Sequence, residues 1–489
     1  MYNQFFFSML HLKQKNTSKK MAINSLDDAL NFYSHSLAGF STTTMRLTTS
    51  SKSSNIVSGD VSVFPLPSNS IVNLPSFKVF FQCAVTGTTA RLPPGISSLI
   101  RRVEVVCGGV TLSEGTNLYS TLLAAKAALC GTKDNKASGN PYLVHTVDEF
   151  SGLALTGTAA QPQPSASVFI GTQESSYCID NFTNTFLGSC SPKLFDMGLI
   201  PDCNVVLYWN DNSVLTTSTT VANPTSLFAA EGSGFTEAVA ANASYTVNRI
   251  HATIECISMA DRTFGNLVDQ QFAVAGFIEA PFKSYQCVSE GTASGTSRFQ
   301  VATQSLDRIW VGYRYNATSV TGGVTTGRQY PHSAQGPPIP VVGYTPCPEM
   351  TQRHSTTMER YTTAQQCFRS PGPDFSLQWT LNGSQVPQTP IFGSELLSFT
   401  KDQLPFGCYM RDDLTPAEYL TSSFVTCLRL DMPHLGSART QSGLDTRASN
   451  LQGLVRSTGG TPNNYDAFVA VESSPTLRIM PGRSVAVVP

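Results

Sequence analysis

Short runs of apolar and β-branched residues, bounded by Gly, Pro, Asn or Ser, recur along the whole 489-residue chain. In many runs apolar and polar positions alternate with a period of two, which is typical of a strand with one buried face. The pattern predicts an all-β protein made of β-sandwiches, not one in which strands and helices alternate. Representative predicted strands are Val61–Phe64, Phe77–Phe81, Val103–Val106, Val205–Trp209 and Ile250–Ile254.

Two segments have a helical pattern. The first is Thr116–Leu129, which places four apolar side chains on one face (Leu118, Leu122, Ala125 and Leu129). The second is Ser25–Phe32, which Ser25 would cap at its N-terminus. We therefore expect only a few short helices.

A strand, a glycine turn and a return strand occur twice along the chain. Val103–Leu112 contains the turn Gly108-Gly109, and Leu377–Val386 repeats the layout with an Asn-Gly turn. Each hairpin is followed by a short apolar segment that is helical or looped. This repetition predicts two copies of one β domain.

The repeat suggests a division of the chain into three parts. We expect an N-terminal arm over residues 1–40, a first domain over 41–262 and a second domain over 263–489. Long segments of low complexity interrupt both copies, and loops of this length are expected as surface insertions between sandwich strands. They span residues 132–167, 211–243 and 316–369.

Charge is sparse and balanced. Only 13% of the residues are charged, against about 25% in ordinary soluble domains, and the net charge is −1. The balance excludes a disordered polyelectrolyte, and we expect no specific nucleic-acid binding, which would normally require an excess of Lys and Arg. Two interpretations of the sparse charge remain: a neutral, solvated Ser/Thr-rich surface, or a surface covered by contact with other chains.

The twelve cysteines contain no C-x-x-C pair, and several lie in apolar runs. We expect buried free thiols in preference to a disulfide framework. The sequence shows neither a signal peptide nor an apolar stretch of membrane-spanning length, so the protein is expected to be soluble and made inside the cell.

The first twenty residues form a distinct aromatic and basic segment. Its composition favours a disordered tail, and contact with the inner face of an assembly or with a membrane surface is the other interpretation. The residues expected to make this contact are Phe5, Phe6, Phe7, Lys13, Lys15, Lys19 and Lys20.

The chain carries no recognisable catalytic motif. Its seven histidines lack metal-ligand spacing, and the acidic pairs Asp148-Glu149 and Asp412-Asp413 would point to opposite faces of a strand. We therefore predict that the protein is not an enzyme, with no catalytic residues, no cofactor and no metal site.

Several segments resemble double jelly-roll major capsid proteins of Polinton-like viruses and virophages, within the lineage that includes adenoviruses and large DNA viruses. The main resemblance runs from Leu92 to Val105, through Gly108-Gly109-Val110, to Asn117–Leu122. Further similar segments are Ser41–Arg46, Val61–Phe81, Ile200–Asp202, Ser297–Val301 and Gln304–Ile309.

The resemblance implies two tandem eight-stranded jelly-roll sandwiches with long loop insertions. It also implies a homotrimeric, pseudo-hexameric capsomer that tiles an icosahedral shell, with the insertions forming outward towers. Its partners would be neighbouring capsomers, minor capsid and penton proteins and, through the arm, an internal membrane. The protein would be found in the virion and assembled inside the host cell.

Two alternatives from other classes stay open. A trimeric β-rich spike or fibre that binds carbohydrate receptors would share the Ser/Thr/Gly-rich pattern but should have one globular head. A cupin-like jelly-roll enzyme should carry clustered metal-binding histidines, and the scattered histidines argue against it.

Overall fold

A computed structural model describes these parts of the chain: 40–86, 90–91, 96–113, 118–129, 175–180, 182–212, 216–218, 237–239, 244–259, 263–291, 296–315, 368, 370–371, 375–381, 383–404, 410, 414, 416, 419–420, 424–431, 443–447, 451–458 and 465–488. The arm, the predicted helix Ser25–Phe32 and most of the three insertions lie outside them.

The first half of the chain forms two antiparallel sheets. Sheet A has the strand order β1-β12-β3-β7, with β8 also paired to β3, and sheet B has the order β2-β9-β5-β6. A small sheet of order β11-β10-β4 stands apart. The strands are β1 (Phe40–Leu47), β2 (Val61–Pro65), β3 (Ile71–Thr86), β4 (Ala90–Arg91), β5 (Ile100–Cys107), β6 (Val110–Ser113), β7 (Ser175–Ile179), β8 (Leu194–Asp196), β9 (Cys203–Trp209), β10 (Thr216–Ser218), β11 (Glu237–Val239) and β12 (Ser244–Met259).

The second half repeats the arrangement. Sheet C has the order β14-β21-β16-β19, sheet D has the order β15-β20-β17-β18, and a terminal sheet has the order β13-β22-β23. The strands are β13 (Ile278–Pro281), β14 (Ser284–Gly291), β15 (Thr296–Val301), β16 (Leu306–Tyr315), β17 (Ser376–Leu381), β18 (Ser384–Phe392), β19 (Val425–Arg429), β20 (Leu451–Thr458), β21 (Tyr465–Ser473), β22 (Thr476–Met480) and β23 (Ser484–Val488).

The two halves match strand for strand. The eight main strands of each half can be numbered 1 to 8 along the chain, leaving out β4, β8, β10 and β11 in the first half and the terminal sheet in the second. Sheets A and C then both have the order 1-8-3-6, and sheets B and D both have the order 2-7-4-5. Each pair of sheets therefore has eight equivalent strands in the connectivity of a jelly roll. We call sheets A and B the first sandwich, and sheets C and D the second. The all-β prediction and the predicted duplication of the sandwich are confirmed.

Local sequence explains the hairpins and the facing surfaces. The β5–β6 turn uses Gly108 and Gly109 at φ +55° and +85°, a left-handed conformation that glycine adopts without steric cost. A Cβ on Gly108 would also lie 2.6 Å from Pro201 Cγ. Between the sheets of the first sandwich, Phe81 of β3 packs edge-on against Trp209 of β9, with ring centroids 5.3 Å apart.

Within the described parts of the chain, four α-helices accompany the strands: α1 (Tyr119–Leu129), α2 (Phe186–Ser189), α3 (Thr263–Ala275) and α4 (Gly393–Gln403). Helix α1 confirms the predicted helix, beginning at Tyr119 instead of Thr116. Helix α4 is the segment that follows the second hairpin. Helix α3 was not predicted from the sequence. Residues 269–271 and 273–275 of this helix are exposed, and Phe272 packs on the first core.

Each sandwich encloses its own hydrophobic core, and each core also receives side chains from the other half of the chain. Part of α1 packs into the core of the second sandwich. In return, the terminal sheet and the segment after β13 pack into the core of the first sandwich. The two sandwiches are therefore joined by exchanged elements as well as by the connecting chain.

Candidate functional site: the junction between the sandwiches

Helix α1 is buried on nearly all sides because it lies between the two cores. Tyr119 and Leu123 belong to the core of the first sandwich. Leu122, Ala125 and Leu129 belong to the core of the second. Leu122, Ala125 and Leu129 were predicted to share one apolar face, and they do so against the opposite half of the molecule.

The exchange is reciprocal. Ala280 of β13 and Phe282 just beyond it are buried in the first core, where Phe282 packs edge-on against Phe186 of α2 with ring centroids 5.4 Å apart. Leu477 and Ile479 of β22 are buried in the same core. Both ends of the second half are thus anchored on the first sandwich.

Lys126 carries a charge into this junction from α1. Its Nζ donates to Asn184 Oδ1 of the first sandwich at 2.9 Å and to the Tyr285 hydroxyl of β14 at 2.6 Å. The same ammonium lies 4.1 Å from the Tyr285 ring centroid and 5.4 Å from that of Trp310 on β16. One cation therefore contacts both halves of the chain through hydrogen bonds and cation–π contacts.

Glu472 of β21 is the carboxylate at the centre of the junction. Its Oε2 lies 3.9 Å from Lys126 Nζ and accepts a hydrogen bond from Trp310 Nε1 at 2.9 Å. Its Oε1 accepts from Arg308 Nη1 at 3.2 Å, and Arg308 Nη2 also donates to Asp431 at 2.5 Å. The Glu472 side chain is only 3% exposed, so its charge is matched by partners instead of by water.

Arg308 and Trp310 face the junction because successive side chains of a β-strand point to opposite faces of the sheet. On β16, alternate side chains point to opposite faces, so Ile309 and Val311 occupy one face while Arg308 and Trp310 occupy the other. Residues Leu306–Tyr313 are buried without interruption, which shows that sheet C is covered on both faces. The face that would be open to water in an isolated sandwich here contacts Lys126 of α1.

The pKa values follow from burial and charge pairing. Burial alone would raise the pKa of Glu472, but Lys126 and Arg308 lower it to about 2. Burial lowers the pKa of Lys126, and Glu472 opposes that effect. Burial also raises the pKa of Tyr285 well above its ordinary value, with the negative charge of Glu472 adding to the rise. Tyr285 is therefore a neutral phenol, and Glu472 is ionised at neutral pH.

A second charged cluster lies where the two halves connect. Lys283, between β13 and β14, donates from Nζ to Asp307 Oδ2 at 2.5 Å and to Ser474 Oγ at 2.7 Å. Ser305 Oγ donates to the other oxygen of Asp307 at 2.7 Å. The backbone N–H of Lys283 donates to Ser189 Oγ of the first sandwich at 3.0 Å. The connecting segment is therefore fixed on both sides.

The charged groups of the junction hold the two halves of the chain together. The carboxylates of Asp307, Asp431 and Glu472 bind Lys or Arg side chains of the same chain. Within the part of the chain that the structure describes, no group of three or more His, Cys, Asp or Glu is arranged to hold a metal ion. Buried pairs of this kind are geometrically demanding, because loss of one partner leaves an uncompensated charge.

The predicted contact residues of the arm (Phe5, Phe6, Phe7, Lys13, Lys15, Lys19 and Lys20) lie outside the described residues, as do Asp148-Glu149 and Asp412-Asp413. His251 of β12 is described; it stacks on Phe80 with ring centroids 5.4 Å apart. Among the described helices, none combines the length and apolarity that crossing a bilayer requires.

The junction residues were not singled out by sequence analysis. Two signals point to them in retrospect. Lys126 interrupts a helix that is otherwise almost entirely apolar, and Arg308 interrupts an apolar strand pattern. A charge in such a position needs a buried partner, but the sequence does not say which residue provides it.

No family model matches the chain, and no curated protein matches its sequence. Solved structures do match. PBCV-1 VP54, fitted into a reconstruction of the virophage Sputnik, has a TM-score of 0.51 at 12% identity, covering 92% of this chain and 97% of that chain. The PBCV-1 virus capsid gives a TM-score of 0.50 at 11% identity, covering 92% and 97%. The Sputnik virophage structure gives 0.50 at 11% identity, covering 92% and 89%. The chain therefore shares the double jelly-roll fold with these proteins along nearly its whole length.

Proposed function

We propose that this protein is a structural major capsid protein, which self-assembles as trimeric, pseudo-hexameric capsomers that tile an icosahedral virus shell. The observation that carries the proposal is the pair of sandwiches with one strand order in one chain. Three such chains present six similar units around a ring. A threefold interface that closes on itself is then enough to produce a nearly hexagonal tile.

The junction supports this function because a tile must keep its shape. Two sandwiches on a flexible linker would vary in their relative orientation, and the outline of the trimer would vary with it. Here α1 packs into the opposite core, and Lys126 and Glu472 meet between the halves. A fixed angle between the sandwiches is a property that a shell needs and that catalysis does not.

The comparisons and the composition support the same role. The fold is shared with the PBCV-1 capsid across both halves of the chain. Only 13% of the residues are charged, which lowers the desolvation cost of burying surface between subunits. We propose that the protein works by forming an enclosure and not as an enzyme.

We further propose that the chain divides into the arm 1–40, a first jelly roll 41–262 and a second jelly roll 263–489. The division assigns sheets A and B to the first unit and sheets C and D to the second. The terminal strands β22 and β23 then belong to the second unit by sequence while packing on the first. Leu477 and Ile479 of β22 support this packing, because they are buried in the core of the first sandwich.

The capsid role implies a location and a set of binding partners. The protein's location is the virion, after assembly inside the host cell, and its partners are further copies of itself and minor capsid and penton proteins. The arm contacts the inner face of the shell or an internal membrane. Four lysines near an anionic surface each contribute about 1 kcal/mol of attraction.

Light scattering on the purified full chain tests the proposal. A capsomer predicts a particle of three times 52.6 kDa, whereas a monomer contradicts it. A trimeric spike or fibre that binds carbohydrate receptors is the alternative. Specific binding to a glycan array, together with an elongated trimer, would favour that alternative over a capsid role.

A further inference from the structure

Cys107 and Cys203 lie directly opposite each other on neighbouring strands. In the register of β5 with β9, Cys107 pairs with Cys203, and both side chains are buried, at 0% and 2% exposure. They are two of the eight described cysteines, all of which are free thiols. This pair joins the two central strands of sheet B.

The backbone hydrogen bonds show which kind of strand pair this is. The carbonyl of Cys203 points away from β5 and accepts from the N–H of Leu66 at 2.9 Å. Toward β5, the neighbouring carbonyl of Asp202 accepts from Gly108 N–H at 3.0 Å. Cys107 and Cys203 are therefore a non-hydrogen-bonded antiparallel pair, in which Cα atoms lie about 4.5 Å apart and side chains approach most closely.

That spacing falls within the range of about 4.4–6.8 Å that disulfides span without backbone movement. We propose that Cys107 and Cys203 are an oxidation site, at which a cross-strand disulfide forms between β5 and β9. The proposal depends on this geometry and not on the capsid role.

The reaction with a small-molecule disulfide such as oxidised glutathione balances as follows. The Cys107 thiolate attacks one glutathione sulfur, breaking the glutathione S–S bond and releasing one glutathione thiolate. Cys203 then loses its proton and attacks the Cys107 sulfur of the mixed disulfide, and the second glutathione thiolate leaves. The protein loses two electrons and two protons, and oxidised glutathione becomes two reduced glutathione molecules.

The local chemistry sets the order of these steps. A hydrogen bond from Cys203 lowers the pKa of Cys107, against the opposing effect of burial. The same hydrogen bond and burial raise the pKa of Cys203. Cys107 is next to the exposed turn Gly108-Gly109 and Cys203 is next to the exposed Asp202, so both thiols lie close along the chain to solvent-exposed residues. Cys107 is thus the residue that attacks first.

The disulfide would close a long loop, because almost the whole stretch from β5 to β9 lies between the two cysteines. Loops of about 100 residues are those for which a cross-link most restricts the unfolded chain. The oxidised protein is therefore expected to melt up to about 5 °C above the reduced protein. If the strands do not move on oxidation, the whole increase in stability comes from the lower conformational entropy of the cross-linked unfolded chain.

Peptide mapping of the full wild-type chain tests the proposal without any variant. The protein is incubated with oxidised glutathione, both as the native protein and during refolding from denaturant, and free thiols are then blocked before trypsin digestion. Cleavage after Arg102, Lys126, Lys193 and Arg249 gives peptides 103–126 and 194–249, each with one cysteine. We expect these two peptides joined in one species that dithiothreitol separates.

Variants supply the second readout. Cys203→Ser should abolish the difference in melting temperature between oxidised and reduced protein, whereas Cys178→Ser, a half-buried cysteine of β7, should retain it. Recovery of peptides 103–126 and 194–249 unlinked after both treatments would overturn the proposal. So would their linkage only to other cysteines.

Discussion

Lys126 on α1 of the first sandwich lies with its Nζ 3.9 Å from Glu472 Oε2 on β21 of the second sandwich. Both groups are largely removed from water. Trp310 donates a hydrogen bond to the same carboxylate oxygen, and Arg308 donates to the other one. This contact links two sandwiches that each have a complete set of jelly-roll strands. Substitutions at these residues therefore test whether the junction holds the two sandwiches in a fixed arrangement.

Replacing the central carboxylate should destabilise the protein strongly. Glu472→Gln leaves Lys126 and Arg308 as like charges in a buried site, and removal of one partner of a buried pair typically costs about 3–5 kcal/mol in free energy of unfolding. Urea denaturation measures the loss. The matched control is Glu279→Gln, which removes a 44% exposed carboxylate paired with Arg478 and should cost less than about 1 kcal/mol. Equal losses in the two variants would contradict a central role for Glu472.

Acid should remove the same stabilisation. The pKa of Glu472 is about 2 in the folded protein, against an ordinary value of 4.5. Because the folded value is the lower one, the carboxylate stabilises the fold fully above pH 4.5, and this contribution disappears as the pH falls through 2. Its full size is about 3 kcal/mol. The difference in unfolding free energy between wild type and Glu472→Gln should shrink between pH 5 and pH 2. A difference that does not change with pH would exclude ionised Glu472 as its source.

Two adjacent leucines of α1 should affect opposite halves of the molecule. Leu122 is buried in the second core and Leu123 in the first, and truncation of a buried leucine to alanine costs roughly 2–5 kcal/mol. Hydrogen exchange followed by mass spectrometry locates the effect. Leu122→Ala should speed exchange in β16 and β19, whereas Leu123→Ala should speed exchange in β5 and β9. Identical exchange maps for the two variants would show that α1 does not join two separate cores.

The lysines of the arm should determine binding to anionic membranes. Changing Lys13, Lys15, Lys19 and Lys20 together to Gln should remove most co-sedimentation with vesicles that contain phosphatidylserine, because each lysine contributes about 1 kcal/mol near such a surface. Vesicles of phosphatidylcholine alone, which bind neither protein by charge, are the control. Undiminished binding of the variant to anionic vesicles would contradict the proposed membrane contact.

The sequence predicts the sandwich more fully than the junction. Period-two patterns and the glycine turns depend on neighbouring residues, so β5, its hairpin turn and α1 are all visible locally. The partner of Lys126 is not visible in this way. Glu472 lies far along the chain, and only the tertiary fold brings it near. The apolar character of α1 indicates burial, but which of its sides meets which core depends on where the second sandwich lies.

Helix α3 shows a different case, in which a local signal is present but was not recognised. The sequence places Phe264, Leu267, Val268 and Phe272 at helical spacing. The exposed residues Asp269 and Gln270 lie between them, and Val274 beyond them is 88% exposed. Strand β12 shows an intermediate case. The sequence predicts a strand at Ile250–Ile254, but β12 begins at Ser244 and is interrupted by a bulge where Arg249 has φ +51°. A bulge disturbs the alternation from which a strand is predicted.

Electron cryo-microscopy of the purified full chain tests the capsomer proposal most directly. We expect a closed ring of three chains with six sandwich-shaped densities, in which first and second sandwiches alternate and the angle between the two sandwiches of one chain is constant. A monomer, or a trimer whose two sandwiches take variable relative orientations, would contradict it.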